Sequence, residues 1–168
     1  ITIIGTNVHD DKSGLLCRNS TAIVRNCVFE DCISFFRGGT IYVENGFLLL
    51  EQCSIFNSYS DAGGGAIYCI NSEVDLQDCV FEGNMTAASS GIGGGVICVQ
   101  PNSKVRLKNC SFVDNWSLSS GGAIWAASSS EIQISDCDFT ENQAFGYIVG
   151  GGGAIGTSTS VNDCNMVI

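Results

Sequence analysis

The chain has 168 residues, 45% of them hydrophobic, with 21 glycines, one proline, ten cysteines and a formal net charge of −10. This length suits one domain with a sizeable core, and the single proline and missing triplet period exclude Pro-rich linkers and collagen. The acidic balance disfavours nucleic acid and anionic lipid as partners, and no apolar run is long enough to span a membrane. Ile1 to Gly5 lack the basic start and cleavage-type tail of a signal peptide. With no initiating Met, the chain reads as a mature piece or an excised segment.

The elements repeat. Gly-Gly-small-Ile occurs at Gly38 to Ile41, Gly64 to Ile67, Gly94 to Ile97, Gly121 to Ile124 and Gly152 to Ile155. A cysteine recurs at Cys27, Cys53, Cys79, Cys110, Cys137 and Cys164, at steps of 26, 26, 31, 27 and 27. Such a period marks a stacked, quasi-one-dimensional fold.

The spacing predicts three short strands per copy. The first, as in Ala66-Ile67-Tyr68-Cys69, puts its Ile on one face and Tyr42, Tyr68, Cys98 or Trp125 on the other. After a polar turn, the second carries Ala22/Val24, Leu48/Leu50, Val74/Leu76, Val105/Leu107, Ile132/Ile134 and Thr159/Val161 inward. The third carries Cys27/Phe29, Cys53/Ile55, Cys79/Phe81, Cys110/Phe112, Cys137/Phe139 and Cys164/Met166 inward.

Between second and third strands the inward residues are three apart rather than two. A one-residue bend therefore falls at Asn26, Gln52, Asp78, Asn109, Asp136 and Asp163, mostly Asn and Asp, which tolerate left-handed backbone. Ile1, Ile3, Thr6 and Val8 share the spacing of the second and third strands and are predicted to form an opening partial coil.

Strand, turn, strand, bend, strand and return loop make one coil of a parallel β-helix. The expectation is an all-β solenoid of six to seven coils, roughly 27 residues each, over residues 1–168. The glycine load and period-2 alternation oppose helices. The Gly-Gly pair allows positive φ and close backbone approach where a loop re-enters the stack.

Six cysteines share one repeat position, there is no Cys-x-x-Cys, and His9 is the only histidine, so zinc is excluded. With Phe29, Phe81, Phe112 and Phe139 they read as a buried core ladder. Pairing of Cys17, Cys32, Cys69 and Cys98 stays open. Asn84, Asn115 and Asn142 recur at the end of the third strand, as a hydrogen-bonded ladder or as turn initiators.

Phe-x-x-Asn (Phe81 to Asn84, Phe112 to Asn115, Phe139 to Asn142) alternating with Gly-Gly-Ala-Ile (Gly64, Gly121, Gly152) resembles the repeat of chlamydial polymorphic outer-membrane proteins. It also resembles protist surface β-helix proteins. The resemblance covers nearly the whole chain and implies a right-handed parallel β-helix with an adhesive or structural role at the surface. The bacterial family further implies a signal peptide and a C-terminal barrel, which this chain lacks.

Four sequons begin at Asn19, Asn84, Asn109 and Asn115. Asn19, Asn84 and Asn115 are the glycosylation candidates, with Asn19, in a connector, the best placed. Lys104, Arg106 and Lys108 share an outward face opposite Glu73, Asp75 and Glu131 of adjacent coils, so they are expected to pair between coils. Acid pairs (Asp136 with Asp138, Asp10 with Asp11, Glu30 with Asp31) are the nearest approach to a glycan-hydrolysing site, but each straddles a bend or loop. No cofactor is expected; calcium at the acidic loops would bind weakly, for lack of a ligand motif.

The return loops vary in length at one corner and gather Phe35, Phe36, Tyr59, Trp116, Phe145, Tyr147 and Ile148. They lid the corner or form a contact surface. The expected function is a non-catalytic scaffold in extracellular or cell-surface adhesion, with protein or glycan partners. The alternatives are a module that stacks end to end in a filament through open coil ends, and a polysaccharide-active enzyme.

Overall fold

The computed structural model describes residues 2–4, 7–8, 14–88, 92–146, 152–158 and 165–167. Its strands pair in parallel and form four sheets of six strands each. The first sheet holds the strands that follow Gly-Gly, such as Ile67–Ile70 and Ile97–Val99. The second holds Glu73–Gln77 and its equivalents, and the third Val80–Glu82 and its equivalents. The fourth was not expected. Its two-residue strands, Ile33–Ser34, Tyr59–Ser60, Met85–Thr86, Trp116–Ser117 and Gln143–Ala144, occupy the start of the predicted return loops. Coils therefore carry four strands, not three, and six rungs with five steps between them make a slightly shorter stack than six to seven coils.

Like stacks on like because adjacent rungs keep register. Val74 lies between Leu48 and Val105, Leu76 between Leu50 and Leu107, and Phe81 between Ile55 and Phe112. The Phe81 and Phe112 rings stack at 5.0 Å and those of Phe112 and Phe139 at 4.6 Å. Each such pair contributes about 0.5–1.5 kcal/mol beyond the area it buries.

Three bends per coil permit this packing. Asn26, Gln52, Asp78, Asn109 and Asp136 have φ of 52–54° at the predicted corner. The same left-handed residue stands before the second strand at Asn19, Asn45, Asn71, Asn102 and Ser129, and after the third at Asp31, Asn57, Gly83, Asp114 and Glu141. Each bend resets the alternation, so inward residues run two apart along a strand and three apart across a corner. At the return, Gly64 adopts φ +65° and a Cβ on Gly65 would lie 2.1 Å from the Gly95 carbonyl oxygen. Only glycine fits there.

This periodicity corrects both chain ends. Ile3 pairs with Phe29 and Val8 with Ser34, so the opening strands lie in the third and fourth sheets rather than the second and third. Ile1 and Thr6 lie outside the described residues. At the other end Asn165–Val167 joins the second sheet, with Met166 opposite Ile132 rather than Phe139. Cys164, Thr159, Val161 and Asp163 lie outside the described residues.

Of the ladder cysteines, Cys53, Cys79 and Cys110 are buried and Cys27 and Cys137 half-buried. Cys17, Cys32, Cys69 and Cys98 are buried too, and the nine described cysteines are free thiols. Burial pushes Cys69 up to about 12. The thiol–thiol hydrogen bond with Cys79, followed by burial, raises Cys110.

Asn84 and Asn115 are fully buried. Asn115 Oδ1 accepts from the Asn84 backbone N–H at 2.9 Å and from Asn84 Nδ2 at 3.0 Å. Its Nδ2 donates to the Phe81 carbonyl at 3.0 Å and to Asn142 Oδ1 at 2.9 Å. Asn84 Nδ2 donates onward to the Ile55 carbonyl. This is a ladder, and within it neither amide nitrogen reaches solvent. Asn19 is exposed.

A second apolar cluster lies outside the helix, on the outer face of the first sheet. Tyr68, Cys98, Trp125 and Ala127 are buried there, with Tyr42, Ile70 and Ile92 packed against them. The return loops cover it; a Cβ on Gly63 would sit 3.3 Å from Cys98 Sγ. Two members of the basic cluster pair between coils on the second sheet, where Arg106 meets Asp75 at 2.6 Å and Glu73 at 3.0 Å, and Lys104 meets Glu131 at 2.7 Å. Exposed pairs of this kind are each worth about 0–1 kcal/mol and mainly set register.

Candidate functional site

The fourth sheet makes the corner where the predicted contact residues gather. Among its inward residues, Ser34, Ser60, Thr86 and Ser117 are fully buried hydroxyls. Ser60 and Thr86 lie 3.2 Å apart, and Thr86 Oγ1 accepts the Gly63 N–H at 3.1 Å, so the hydroxyls satisfy one another and the loop. With the inner face polar and closed, the larger side chains fall on the outer face.

On that outer face Ile33, Tyr59, Met85, Trp116 and Gln143 occupy successive rungs. The first four are half-buried and Gln143 is exposed. Two residues on, Phe35, Leu118 and Phe145 are 42%, 46% and 51% exposed. Together these side chains form an apolar stripe along the rod. Tyr59 donates its hydroxyl to Asp61, and burial together with that hydrogen bond pushes its phenol up to about 12.

The stripe deepens toward one end. Asp114, Trp116, Leu118, Gln143 and Phe145 line a groove of about 420 Å³. The Trp116 and Phe145 rings meet edge to face with centroids 6.0 Å apart. An indole and a phenyl wall with a carboxylate and an amide at the rim suit a partner that stacks an apolar face and hydrogen-bonds at its edge.

Of the predicted contact residues, Trp116 and Phe145 line this groove together. Phe36 does not; it lines a different cleft. Tyr147 and Ile148 lie outside the described residues. Among the predicted acids, Asp136 and Asp138 share a groove of about 260 Å³ with Asp78, but all three are exposed and Asn109 donates to Asp78 at 2.6 Å. Glu30 and Asp31 sit on either side of the strand-to-bend boundary, and Asp10 and Asp11 lie outside the described residues. Among the described residues no three His, Cys, Asp or Glu side chains converge to hold a metal.

Sequence reasoning missed the fourth sheet that arranges the stripe, and with it Met85, Leu118 and Gln143. The signal was present in four copies: Ser34, Ser60, Thr86 and Ser117 each stand two residues after the Asn-type position, with a bulky residue between.

The chain is 34% identical over 115 residues to the metabotropic glutamate receptor-like protein R of Dictyostelium discoideum. The match covers 67% of this chain and 7% of that protein, so the chain spans a small fraction of its relative's length. No solved structure matches. A family model described as a right handed beta helix region matches residues 1–116 and 65–166. With four parallel sheets wound in successive coils, the chain belongs to the right-handed β-helix family.

Proposed function

We propose that the chain is a non-catalytic β-helix scaffold acting in adhesion outside the cell or at its surface, one repeat domain within a longer protein. The stripe on the fourth sheet is its contact face for protein or glycan surfaces. The observation that carries this is the Trp116–Phe145 groove, an exposed aromatic wall with a hydrogen-bonding rim on an otherwise regular rod. Large apolar side chains left in solvent along one line mark interaction surfaces.

Two likenesses support a surface role. The Phe-x-x-Asn and Gly-Gly-Ala-Ile repeat resembles that of chlamydial and protist surface proteins, and the Dictyostelium relative is named as receptor-like. The exposed acids favour solvation over catalysis: Asp78, Asp136 and Asp138 are all open to solvent, whereas an acid tuned against a base is held in an apolar pocket.

Beads coated with the protein are to be passed over cell layers and over glycan- and matrix-coated surfaces. Saturable retention on at least one surface class is the expected result; none on any class would refute an adhesive role. Release of reducing ends from acidic polysaccharides would instead establish the enzyme.

A further inference from the structure

The charges of this rod are divided by sheet. On the described strands of the first and second sheets every acid is paired between coils: Glu44 with Arg18, Glu51 with Arg25, Glu73 and Asp75 with Arg106, and Glu131 with Lys104. The described strands of the third and fourth sheets, and the bends between them, carry no Lys or Arg. They carry Glu30, Glu82 and Asp138 on the third sheet and Asp31, Asp114 and Glu141 at the bends. Among the described residues none of these six carboxylates takes part in an ion pair or a hydrogen bond.

Asp114 stands at the aromatic end of the stripe. Asn115 turns inward into the ladder, so Asp114 and Trp116, on either side of it, both face outward. Asp114 thus lines one groove with Trp116, Leu118, Gln143 and Phe145. Glu141 holds the same bend on the next rung, where the Asp114 N–H donates to the Thr140 carbonyl. Both acids are exposed. The Trp116 and Phe145 rings stand at 89° to each other, so their faces look in two perpendicular directions.

What the groove accepts follows from these two features together. The quadrupole of an aromatic ring attracts a cation to its face, and an unpaired carboxylate attracts one at the rim. A guanidinium answers both at once: its plane stacks on a ring while the N–H groups of its edge donate to a carboxylate or an amide oxygen. A neutral sugar would use the rings and leave the charge idle. An acidic ligand is repelled by Asp114, by Glu141 and by the net charge of −10. The groove of about 420 Å³ admits one such side chain with its flanking backbone. Charge complementarity therefore selects a basic protein segment.

We propose that this groove docks an arginine side chain from a basic segment of a partner protein, its guanidinium stacked on the Trp116–Phe145 wall and its edge toward Asp114. The inference rests on the reading of the stripe as a contact face and names the partner of that face by its charge.

The test is titration of the purified 168-residue chain with a Gly/Ser hexapeptide carrying two arginines, followed by calorimetry. The emission of Trp116 is a local reporter, because Trp125, the other of the two tryptophans, is buried. The same peptide with citrulline, which keeps the shape and loses the charge, the same peptide with glutamate, and methyl glucoside probe the alternatives. The arginine peptide should bind, and the citrulline peptide about tenfold more weakly or worse, as loss of a charge-assisted hydrogen-bonded pair implies. Asp114→Asn should weaken the arginine peptide by a similar factor and leave the citrulline peptide unchanged; Asn57 already holds the equivalent bend, so the fold tolerates it. Trp116→Met, the residue type of Met85 on the preceding rung, should weaken both peptides. Asp31→Asn, an equal charge change three rungs away on the same bend, should affect neither. Equal binding of the arginine and citrulline peptides, methyl glucoside or the glutamate peptide binding as well as the arginine peptide, an Asp114→Asn variant that binds as before, or no binding of the arginine peptide would overturn the proposal. Bead retention without arginine-peptide binding would strike the cationic partner and leave the contact face standing, and peptide binding without retention would do the reverse.

Discussion

Replacing Asn115 with Ala tests the ladder that holds the third and fourth sheets together. The side chain uses its full capacity: Oδ1 accepts two hydrogen bonds from Asn84, and Nδ2 donates to the Phe81 carbonyl and to Asn142. Ala would leave the Asn84 backbone N–H, one Asn84 amide hydrogen and the Phe81 carbonyl without these partners. Asn84 is itself fully buried, so water cannot replace them without opening the stack. At about 1–3 kcal/mol for each orphaned group, and allowing that coupled groups relax together, the expected loss is about 3–6 kcal/mol. That is a large share of the roughly 5–15 kcal/mol by which ordinary domains are stable. Urea unfolding followed by circular dichroism measures it, as a lower midpoint at unchanged slope. Asn115→Ser should be milder, because Ser58 already occupies the equivalent rung and bonds within it. A loss no larger than that of the outward-facing Gln77→Ala, about 0.5 kcal/mol or less, would show that the asparagines only initiate turns.

Three further outcomes are expected. Gly65→Ala drives a methyl into the Gly95 carbonyl and should cost at least about 3 kcal/mol or abolish soluble expression; a wild-type midpoint would refute the close approach. Burial raises the Cys69 thiol to about 12 from its ordinary 9.0, so the folded state keeps a proton that the unfolded chain releases. Its contribution is complete below pH 9 and is lost as pH rises toward 12, at about 1.4 kcal/mol per pH unit for each such thiol. Unfolding midpoints that stay flat to pH 10.5 would contradict this, as would native thiol labelling as fast at Cys69 as at half-buried Cys27. When the chain is secreted through a glycosylating pathway, peptide mapping should find Asn84 and Asn115 unmodified and Asn19 the occupied sequon; glycan on Asn115 would contradict its burial.

The stacking was legible because it is written in identities. Cys53, Cys79 and Cys110 share a repeat position, and positions that touch across rungs carry the same residue type. The bends before the cysteines were legible for the same reason, as Asn or Asp at every copy but Gln52, where parity breaks. The ends were misplaced because every corner breaks parity alike. Inward residues run 22, 24, 27, 29, 32, 34, so the set Ile1, Ile3, Thr6, Val8 fits the second and third strands or the third and fourth equally well. The structure takes the second alternative.

The fourth sheet was hidden by its chemistry. Its strands are two residues long and at four rungs the inward member is a hydroxyl, so no apolar alternation announces them; Ser60 and Thr86 are buried because they bond to each other and to Gly63, not because they are greasy. The stripe was visible only as an excess of aromatics in the loops. Its geometry depends on Trp116 and Gln143 standing on adjacent rungs, which requires knowing that the sheet exists. Arg18 and Arg37 are 19 residues apart in the chain and line one cleft because one coil lies over the next.

Asn115 and Trp116 are neighbours in the chain that face opposite ways, one into the ladder and one onto the stripe, and the account gives them separate jobs. The most direct test measures melting and bead retention side by side for Asn115→Ala and for Trp116→Ala with Phe145→Ala. The account requires the first to melt earlier and the second to keep most of its stability while losing retention. Full retention by the Trp116 and Phe145 variant would contradict it.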